Sequence, residues 1–275
     1  MNIYDWQQHW RSQLPSDSAD LDLRLLIEHV TGLSPTAQRL HSERELDAAA
    51  LHSLNDLAAR RARGEPVAYL LGHQPFYDLD LRVTPATLIP RPDTEILVEA
   101  ALQRLPADST ATVLDLGTGS GAIALAIAKH RPHTRVIASD YSAEALAVAH
   151  GNARRHRLHN VHFVNASWLD AFADHCADII VSNPPYIATN DAHLPALAFE
   201  PATALTAGAD GLADIRAILH DAPRVLRPGG WLLFEHGYDQ REAIAALADP
   251  CWQSMAFAKD YGGNWRVCLL QSKMK

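Results

Sequence analysis

Residues 112–130 read TVLDLGTGSGAIALAIAKH and combine three local patterns. An apolar run ends at Asp115-Leu116, the glycine-rich segment Gly117-Thr118-Gly119-Ser120-Gly121 follows, and an alanine-rich helical stretch begins after it. Glycine lets the backbone turn sharply and approach a ligand closely. The spacing G-x-G-x-G differs from the G-x-G-x-x-G of dinucleotide enzymes. The stretch therefore predicts a strand, a tight ligand-binding turn and a helix. We refer to residues 117–121 as the glycine loop.

The sequence around the glycine loop repeats this alternation of strand-like and helical segments. Apolar runs rich in β-branched residues are separated by helical stretches; they read TVLDLG, RVIASD, VHFVNA, ADIIVSNPP, GGWLLFEHG and WRVCLLQ. This rhythm predicts an α/β fold with an open, mainly parallel sheet covered by helices on both faces. Ligands of such sheets bind at the carboxyl ends of the strands, where the strand order reverses.

The first part of the chain, residues 1–73, has helical patterning alone and predicts a small helical bundle. Apolar residues recur at helical spacing before Gly32, namely Leu21, Leu25, Leu26 and Val30. Ser34-Pro35 predicts the start of another helix, and a further helix is expected from Leu46 to about Arg63. Residues 74–88, where Leu79, Leu81 and Val83 alternate with polar residues, predict a hairpin linker. Residues 89–275 then form the α/β domain.

Composition excludes several classes of protein. The formal charge of −8 argues against a large surface that neutralises nucleic-acid phosphates, although Arg60, Arg61 and Arg63 form a local cluster that is either a solvated helix end or a partner contact. The three cysteines are far apart, so we expect neither a disulfide framework nor a zinc site. The chain lacks a His-Glu-x-x-His pattern, a signal segment and a membrane-length apolar run, and we expect a cytoplasmic protein without a metal.

The sequence offers two candidates for contacts to a nucleoside, Asp140 and Trp168, which stand at or after the ends of the next two strand-like segments. Asp140 stands at the end of the run RVIASD, where a carboxylate can accept both ribose hydroxyls; it could instead cap the following helix. Trp168 follows the run VHFVNA and either stacks on the base or belongs to the core. The glycine loop with this acidic partner is similar to the nucleoside-binding site of class I methyltransferases, whose cofactor is S-adenosylmethionine.

The motif Asn183-Pro184-Pro185-Tyr186 follows the run ADIIVS and therefore lies in the predicted ligand crevice. Two prolines stiffen the loop and remove backbone donors, leaving carbonyls as acceptors. The Asn183 side-chain oxygen and the Pro184 carbonyl can each accept one N–H of an NH₂ group, while Tyr186 packs over a planar amide. The motif could also be an ordinary turn. Its position after the glycine loop and Asp140 favours a pocket that orients a nitrogen toward a sulfonium methyl group.

Over nearly its whole length the chain resembles the peptide chain release factor glutamine methyltransferases. The resemblance rests on five segments, which read GEPVAYLLG (64–72), TLIPRPDTE (87–95), DLGTGSGAIALA (115–126), SNPPYI (182–187) and EPATAL (200–205). It implies a seven-stranded class I methyltransferase domain. It also implies that residues 117–121, Asp140, Trp168 and Asn183 contact S-adenosylmethionine, and that residues 183–186 hold the glutamine of a Gly-Gly-Gln motif in release factors.

Related enzymes that methylate a glutamine of a ribosomal protein share the Asn-Pro-Pro-Tyr loop, but their linker reads Pro-Arg-Ser-Pro. This chain has Pro90-Arg91-Pro92-Asp93-Thr94-Glu95, which favours release factors. Arg91 and Glu95 are candidate substrate contacts that could instead tie the linker to the domain. A nucleic-acid methyltransferase for adenine N6 or guanine N2 would need a basic recognition region that the sequence does not indicate. A non-catalytic adaptor would not need the glycine loop, Asp140 and Asn183 together.

Overall fold

The structure, a computed structural model, describes residues 1–14, 16–248 and 250–274. The first of its two units, Met1–His73, is helical. Its helices are α1 (Ile3–Arg11), α2 (Ala19–Thr31), α3 (Pro35–Leu40), α4 (Ala48–Ala62) and α5 (Val67–Leu71). The predicted helix ends are confirmed, because Gly32 ends α2 with a left-handed φ of 70° and the Ser34 hydroxyl caps α3 by accepting from the Ala37 N–H.

The buried face of α2 overlaps the predicted face in part. Leu26 is fully buried and Val30 packs against the core, as predicted. Leu23 and Ile27 are also fully buried, whereas Leu21 is 50% exposed. Leucines crowd this segment at several spacings, so more than one helical face satisfies the same periodicity. The Arg cluster at the end of α4 is engaged within the unit, since Arg60 pairs with Glu65 and Arg61 with Asp22.

The second unit, Gln74–Lys275, contains a mainly parallel sheet. A hairpin of β1 (His73–Phe76) and β2 (Leu79–Arg82) precedes the sheet. The sheet strands are β3 (Thr112–Leu116), β4 (Arg135–Asp140), β5 (Val161–Asn165), β6 (Ala177–Ser182), β7 (Leu226–Glu235), β8 (Trp252–Lys259) and β9 (Trp265–Ser272). The helices are α6 (Glu95–Leu102), α7 (Ala122–His130), α8 (Ala143–Arg155), α9 (Ala213–Val225) and α10 (Arg241–Leu247). Short 3₁₀ helices lie at Pro92–Thr94, Leu194–Leu197 and Ala202–Ala204.

The predicted architecture is confirmed in the part of the chain that the structure describes. Seven strands pair in the order β5-β4-β3-β6-β7-β9-β8, with β9 antiparallel to both of its neighbours and the remaining pairs parallel. Strand β8 was not predicted. It is a mostly exposed edge strand, so the sequence of β8 lacks the apolar run typical of a buried parallel strand.

Alternation along the strands divides the apolar side chains between the two faces of the sheet. Val113 packs in the cluster that contains α6 and α7, whereas Leu114 and Leu116 pack in the cluster that contains α9. The predicted hairpin also contributes to the first cluster, through Leu79 and Leu81. Burying side chains of this size stabilises the fold by about 1.5–3 kcal/mol each. No helix of the described residues is long and apolar enough to cross a membrane.

The register of the central strands brings their carboxyl ends to one edge. Leu116 at the end of β3 pairs with Ser139 of β4 on one side and with Ser182 of β6 on the other. Strand order reverses here, because β4 and β5 lie on one side of β3 and β6 and β7 on the other. The residues that follow these three strands therefore share the crevice where α/β sheets bind ligands.

Candidate active site

A cavity of about 490 Å³ lies at the carboxyl ends of β3, β4 and β6. This volume is in the range of about 300–1,000 Å³ that is common for small-molecule sites. Most of the residues predicted from the sequence line the cavity: residues 117–120 of the glycine loop, Asp140, Trp168, Asn183, Pro185 and Arg91. The cavity thus brings together residues that follow β3, β4, β5 and β6 and residues of the segment before α6.

The glycine loop exposes backbone to this cavity. Gly117, Gly119 and Gly121 have φ values of 66°, 56° and 88°, in the left-handed region that favours glycine. A Cβ atom at Gly119 would meet no atom within 4 Å, so the backbone of Gly119 faces open space. The Thr118 N–H donates to the Ser139 carbonyl at 2.9 Å and anchors the loop to β4. A ligand can therefore approach the peptide groups of the loop directly.

Asp115, two residues before the glycine loop, is a buried carboxylate that the sequence reasoning did not select. Its Oδ2 atom accepts from the Thr118 hydroxyl at 2.5 Å and from the Ala124 N–H at 3.1 Å, whereas Oδ1 has no partner among the described residues. Burial raises the pKa of Asp115 to about 7. One carboxylate therefore ties the glycine loop to the first turn of α7.

Asp140 joins the glycine loop to the start of α8. Its Oδ2 atom accepts from the Gly119 N–H at 2.9 Å, and Oδ1 accepts from the Ser142 N–H at 2.8 Å. The residue that caps α8 is Ser142, whose side chain accepts from the Ala145 N–H. Burial raises the pKa of Asp140, and the two backbone donors oppose that shift. Each carboxylate oxygen has a further lone pair, so the group can still accept hydroxyl donors from a ligand.

Trp168 lines the cavity and also packs against the core. Its φ of 41° is unusual for a residue with a side chain, and such strained positions cluster at functional sites. The indole N–H donates to Asp214 Oδ1 at 3.2 Å, and a Cβ atom at Gly117 would lie 3.4 Å from the indole ring. Asp214, which also lines the cavity, therefore fixes the ring beside the glycine loop.

The Asn-Pro-Pro-Tyr loop follows β6 and lies beside the glycine loop. The Ser182 hydroxyl, at the end of β6, donates to the carbonyl of Leu116, the residue before the glycine loop, at 2.8 Å. Asn183 and Pro185 line the cavity, and Pro184 is buried. The Asn183 Nδ2 group donates to the Thr94 hydroxyl at 3.2 Å, and the Tyr186 hydroxyl donates to Glu235 at 3.1 Å. Burial, then the nearby Glu235 charge, raise the pKa of Tyr186, so the phenol stays protonated.

Gln240 and Gly211 contact the backbone of Tyr186. The Gln240 side-chain amide donates to the Tyr186 carbonyl at 2.9 Å and to the Gly211 carbonyl at 3.3 Å. Gly211 has a φ of 71°, and a Cβ atom there would lie 2.3 Å from the Tyr186 carbonyl oxygen. Only glycine allows this close approach of the two backbones.

The two candidate substrate contacts before α6 have different surroundings. Arg91 lines the cavity and pairs with Glu200, whose other oxygen accepts from the Ile89 N–H at 2.9 Å. Glu95 accepts from the Tyr77 N–H of the hairpin at 2.9 Å. The Glu95 carboxylate therefore connects the hairpin to α6, whereas Arg91 places a cation at the cavity wall.

The sequence reasoning missed several polar residues of this region: Thr94, Asp115, Tyr141, Asp214 and Glu235. Thr94 belongs to the segment TLIPRPDTE, so that segment contained a signal for it. Glu235 and Asp214 follow no local pattern. No group of three or more His, Cys, Asp or Glu side chains within residues 1–14, 16–248 and 250–274 could hold a metal ion.

Comparison with known proteins identifies similar sequences and folds. A methyltransferase domain family matches residues 107–269, and the PrmC N-terminal domain family matches residues 5–72. The release factor glutamine methyltransferase of Pseudomonas aeruginosa is 50% identical over 94% of this chain and 95% of its own length. That of Salmonella typhimurium is 45% identical over 97% and 98%, respectively. A methyltransferase structure from Pyrococcus furiosus has a TM-score of 0.56 at 20% identity, covering 80% of this chain and 100% of its own, and shares the fold.

Proposed function

The chain belongs to the release factor glutamine methyltransferase family, and on that basis we propose that it transfers a methyl group from S-adenosylmethionine to the side-chain amide nitrogen of a glutamine in peptide chain release factors. The observation that carries this proposal is the meeting of the glycine loop, Asp140 and Asn183 around one cavity. The target glutamine is that of the Gly-Gly-Gln motif.

The residues around the cavity fit the chemistry of S-adenosylmethionine. The open backbone at Gly119 admits a close ligand, and the Asp140 carboxylate has lone pairs for two ribose hydroxyls. We assign cofactor contacts to the glycine loop, Asp140, Trp168 and Asn183. When bound, S-adenosylmethionine supplies an electrophilic methyl group on a sulfonium sulfur.

The acceptor amide is held by the Asn-Pro-Pro-Tyr loop. Asn183 Oδ1 and the Pro184 carbonyl each accept one N–H, while Tyr186 packs against the planar amide and Arg91 faces the surrounding peptide. An amide nitrogen is a poor nucleophile because its lone pair is delocalised. Two fixed acceptors direct the nitrogen and stabilise the positive charge that develops on it. The methylated nitrogen then loses a proton to water, so no side-chain base is needed.

We assign recognition of the protein substrate to residues 1–73. This unit has its own apolar core, and the described residues that line the cavity belong to the segment 85–214. Deletion of residues 1–73 is expected to raise the KM for an intact release factor far more than the KM for a short Gly-Gly-Gln peptide. Equal losses on both substrates would contradict this division.

Mass spectrometry tests the proposed function directly. Wild-type enzyme with S-adenosylmethionine is expected to add one methyl group to the glutamine of a release factor, and not to a ribosomal protein substrate. Asn183→Ala is expected to lower the single-turnover rate by about 10²–10³ and cofactor affinity by no more than about tenfold. Asn190→Ala, at an exposed position of the same segment, is the matched control. An unmodified release factor would overturn the proposal.

A further inference from the structure

A buried relay of hydrogen bonds lies behind Asn183. The Asn183 Nδ2 group donates to Thr94 Oγ1 at 3.2 Å, and the Thr94 hydroxyl donates to Glu235 Oε2 at 2.6 Å. The Tyr186 hydroxyl donates to the other Glu235 oxygen at 3.1 Å. Thr94 and Glu235 are 4% and 1% exposed. Glu235 therefore connects two residues of the Asn-Pro-Pro-Tyr loop without itself being open to a ligand.

The relay has a defined polarity. The Thr94 hydroxyl donates its hydrogen bond to Glu235 Oε2, and the Tyr186 hydroxyl donates to Oε1, so both carboxylate oxygens are acceptors. The lone pairs of the Thr94 oxygen then remain as acceptors, and the NH₂ end of the Asn183 amide is the end that can donate to them. Among the described residues, no hydrogen bond reaches Asn183 Oδ1. The oxygen is thus left for the cavity.

This polarity matters because the two ends of an asparagine amide have nearly the same shape. With the amide turned over, its NH₂ group would face the NH₂ group of a substrate, and two donors cannot bond. We propose that Thr94 and Glu235 are positioning residues that hold the Asn183 amide with its oxygen toward the acceptor nitrogen. This inference rests on the proposed function and adds residues that act through Asn183.

Two hydroxyl donors and a nearby cation favour the acceptor role of Glu235. Burial raises the pKa of Glu235, and the hydrogen bonds from Thr94 and Tyr186, followed by the charge of Arg266, oppose that shift. Arg266 itself pairs with Asp260 at 3.0 Å. Because one hydroxyl donates to each carboxylate oxygen, both oxygens act as acceptors at this depth.

The decisive experiment compares Thr94→Val with Thr94→Ser in the full-length enzyme. Valine keeps the shape of threonine but removes the acceptor, whereas serine keeps the hydroxyl. For Thr94→Val we expect a ten- to hundredfold loss in single-turnover methylation of a Gly-Gly-Gln peptide at saturating cofactor. S-adenosylmethionine affinity should stay within about twofold, and Thr94→Ser should restore the rate to within about threefold of wild type.

A double-mutant cycle separates amide orientation from a general structural role. Asn183→Asp replaces the amide with a carboxylate, which offers an acceptor in either orientation. Thr94→Val should therefore cost several-fold less in the Asn183→Asp background than in wild type. An equal cost in both backgrounds would overturn the proposal, as would a Thr94→Val rate within about threefold of wild type.

Three further outcomes are informative. If Thr94→Val does not fold, Glu235→Met replaces it, because methionine keeps a side chain of similar length but removes both acceptor oxygens. A loss of rate at unchanged cofactor affinity supports the relay, and an unchanged rate overturns it. If wild-type enzyme leaves the peptide unmethylated while it binds S-adenosylmethionine, the proposed function fails, and the relay proposal fails with it. If the wild-type enzyme methylates the peptide and Thr94→Val methylates it at the wild-type rate, the relay proposal is refuted and the proposed function stands.

Discussion

Replacing Asp140 with alanine should weaken cofactor binding through the glycine loop as well as through the lost ribose contact. The carboxylate accepts from the backbone N–H groups of Gly119 and Ser142 at 2.9 and 2.8 Å. Asp140→Ala leaves both donors without their acceptor. The open loop would then sample other conformations before a ligand binds.

The size of the effect follows from these two contacts. A hydrogen bond to a charged group contributes about 1.5–3 kcal/mol. The pKa of Asp140 is raised by burial, which shows that desolvation offsets part of that gain, and partial solvent access lets water replace part of what is lost. We therefore expect a total loss in cofactor binding of about 1.5–3 kcal/mol, or about 10- to 150-fold in Kd.

Isothermal titration calorimetry with S-adenosylmethionine measures this loss. Asp178→Ala is the matched control, because the Asp178 carboxylate also accepts from a backbone group, the Thr112 N–H, at 2.7 Å. Thr112 is the first residue of β3, so this contact lies at the amino ends of the strands, away from the cavity at their carboxyl ends. The control should lower the free energy of unfolding without changing cofactor affinity. A Kd for Asp140→Ala within about threefold of wild type would refute the role of Asp140.

Three other perturbations test neighbouring parts of the site. Because burial raises the pKa of Asp115 from 3.8 to about 7, the folded protein binds more protons than the unfolded chain between those pH values, and its free energy of unfolding falls as the pH rises through them. Asp115→Asn removes this titration. The free energy of unfolding of the variant, measured in urea relative to that of wild type, should therefore rise by up to about 4 kcal/mol between pH about 4 and about 8. A difference that stays constant with pH would argue against an ionisable buried carboxylate. Gly211→Ala should lower the free energy of unfolding by at least about 1–3 kcal/mol, since its Cβ would lie 2.3 Å from the Tyr186 carbonyl oxygen, and an unchanged thermal midpoint would contradict that contact. Glu200→Gln should release the Arg91 guanidinium and raise the KM for a release factor at unchanged cofactor affinity, whereas an unaltered KM would count against a substrate contact by Arg91.

Local patterns in the sequence were sufficient for most of the fold. The strands that precede the glycine loop and Asn183, and the strand that ends at Asp140, are largely buried, so each contains a short apolar run: Val113-Leu114, Val136-Ile137-Ala138 and Ile179-Ile180-Val181. Periodicity and turn chemistry act over a few residues, which is why the helix ends at Gly32 and Ser34 were also predictable. The edge strand β8 and part of the buried face of α2 were not, because their local patterns allow more than one assignment.

Local sequence patterns predicted that a glycine loop, an acidic residue and an Asn-Pro-Pro-Tyr loop follow three strands of one sheet. The buried side chains that hydrogen-bond to the Asn-Pro-Pro-Tyr loop became apparent only from the tertiary structure. Thr94 and Asn183 are 89 residues apart, and Thr94 and Glu235 are 141 apart, yet their side chains form one hydrogen-bonded relay. Such contacts depend on strand order and on the path of the chain before α6. Local sequence patterns therefore cannot predict them, because hydrogen bonds between distant segments form only after the sheet has brought those segments together.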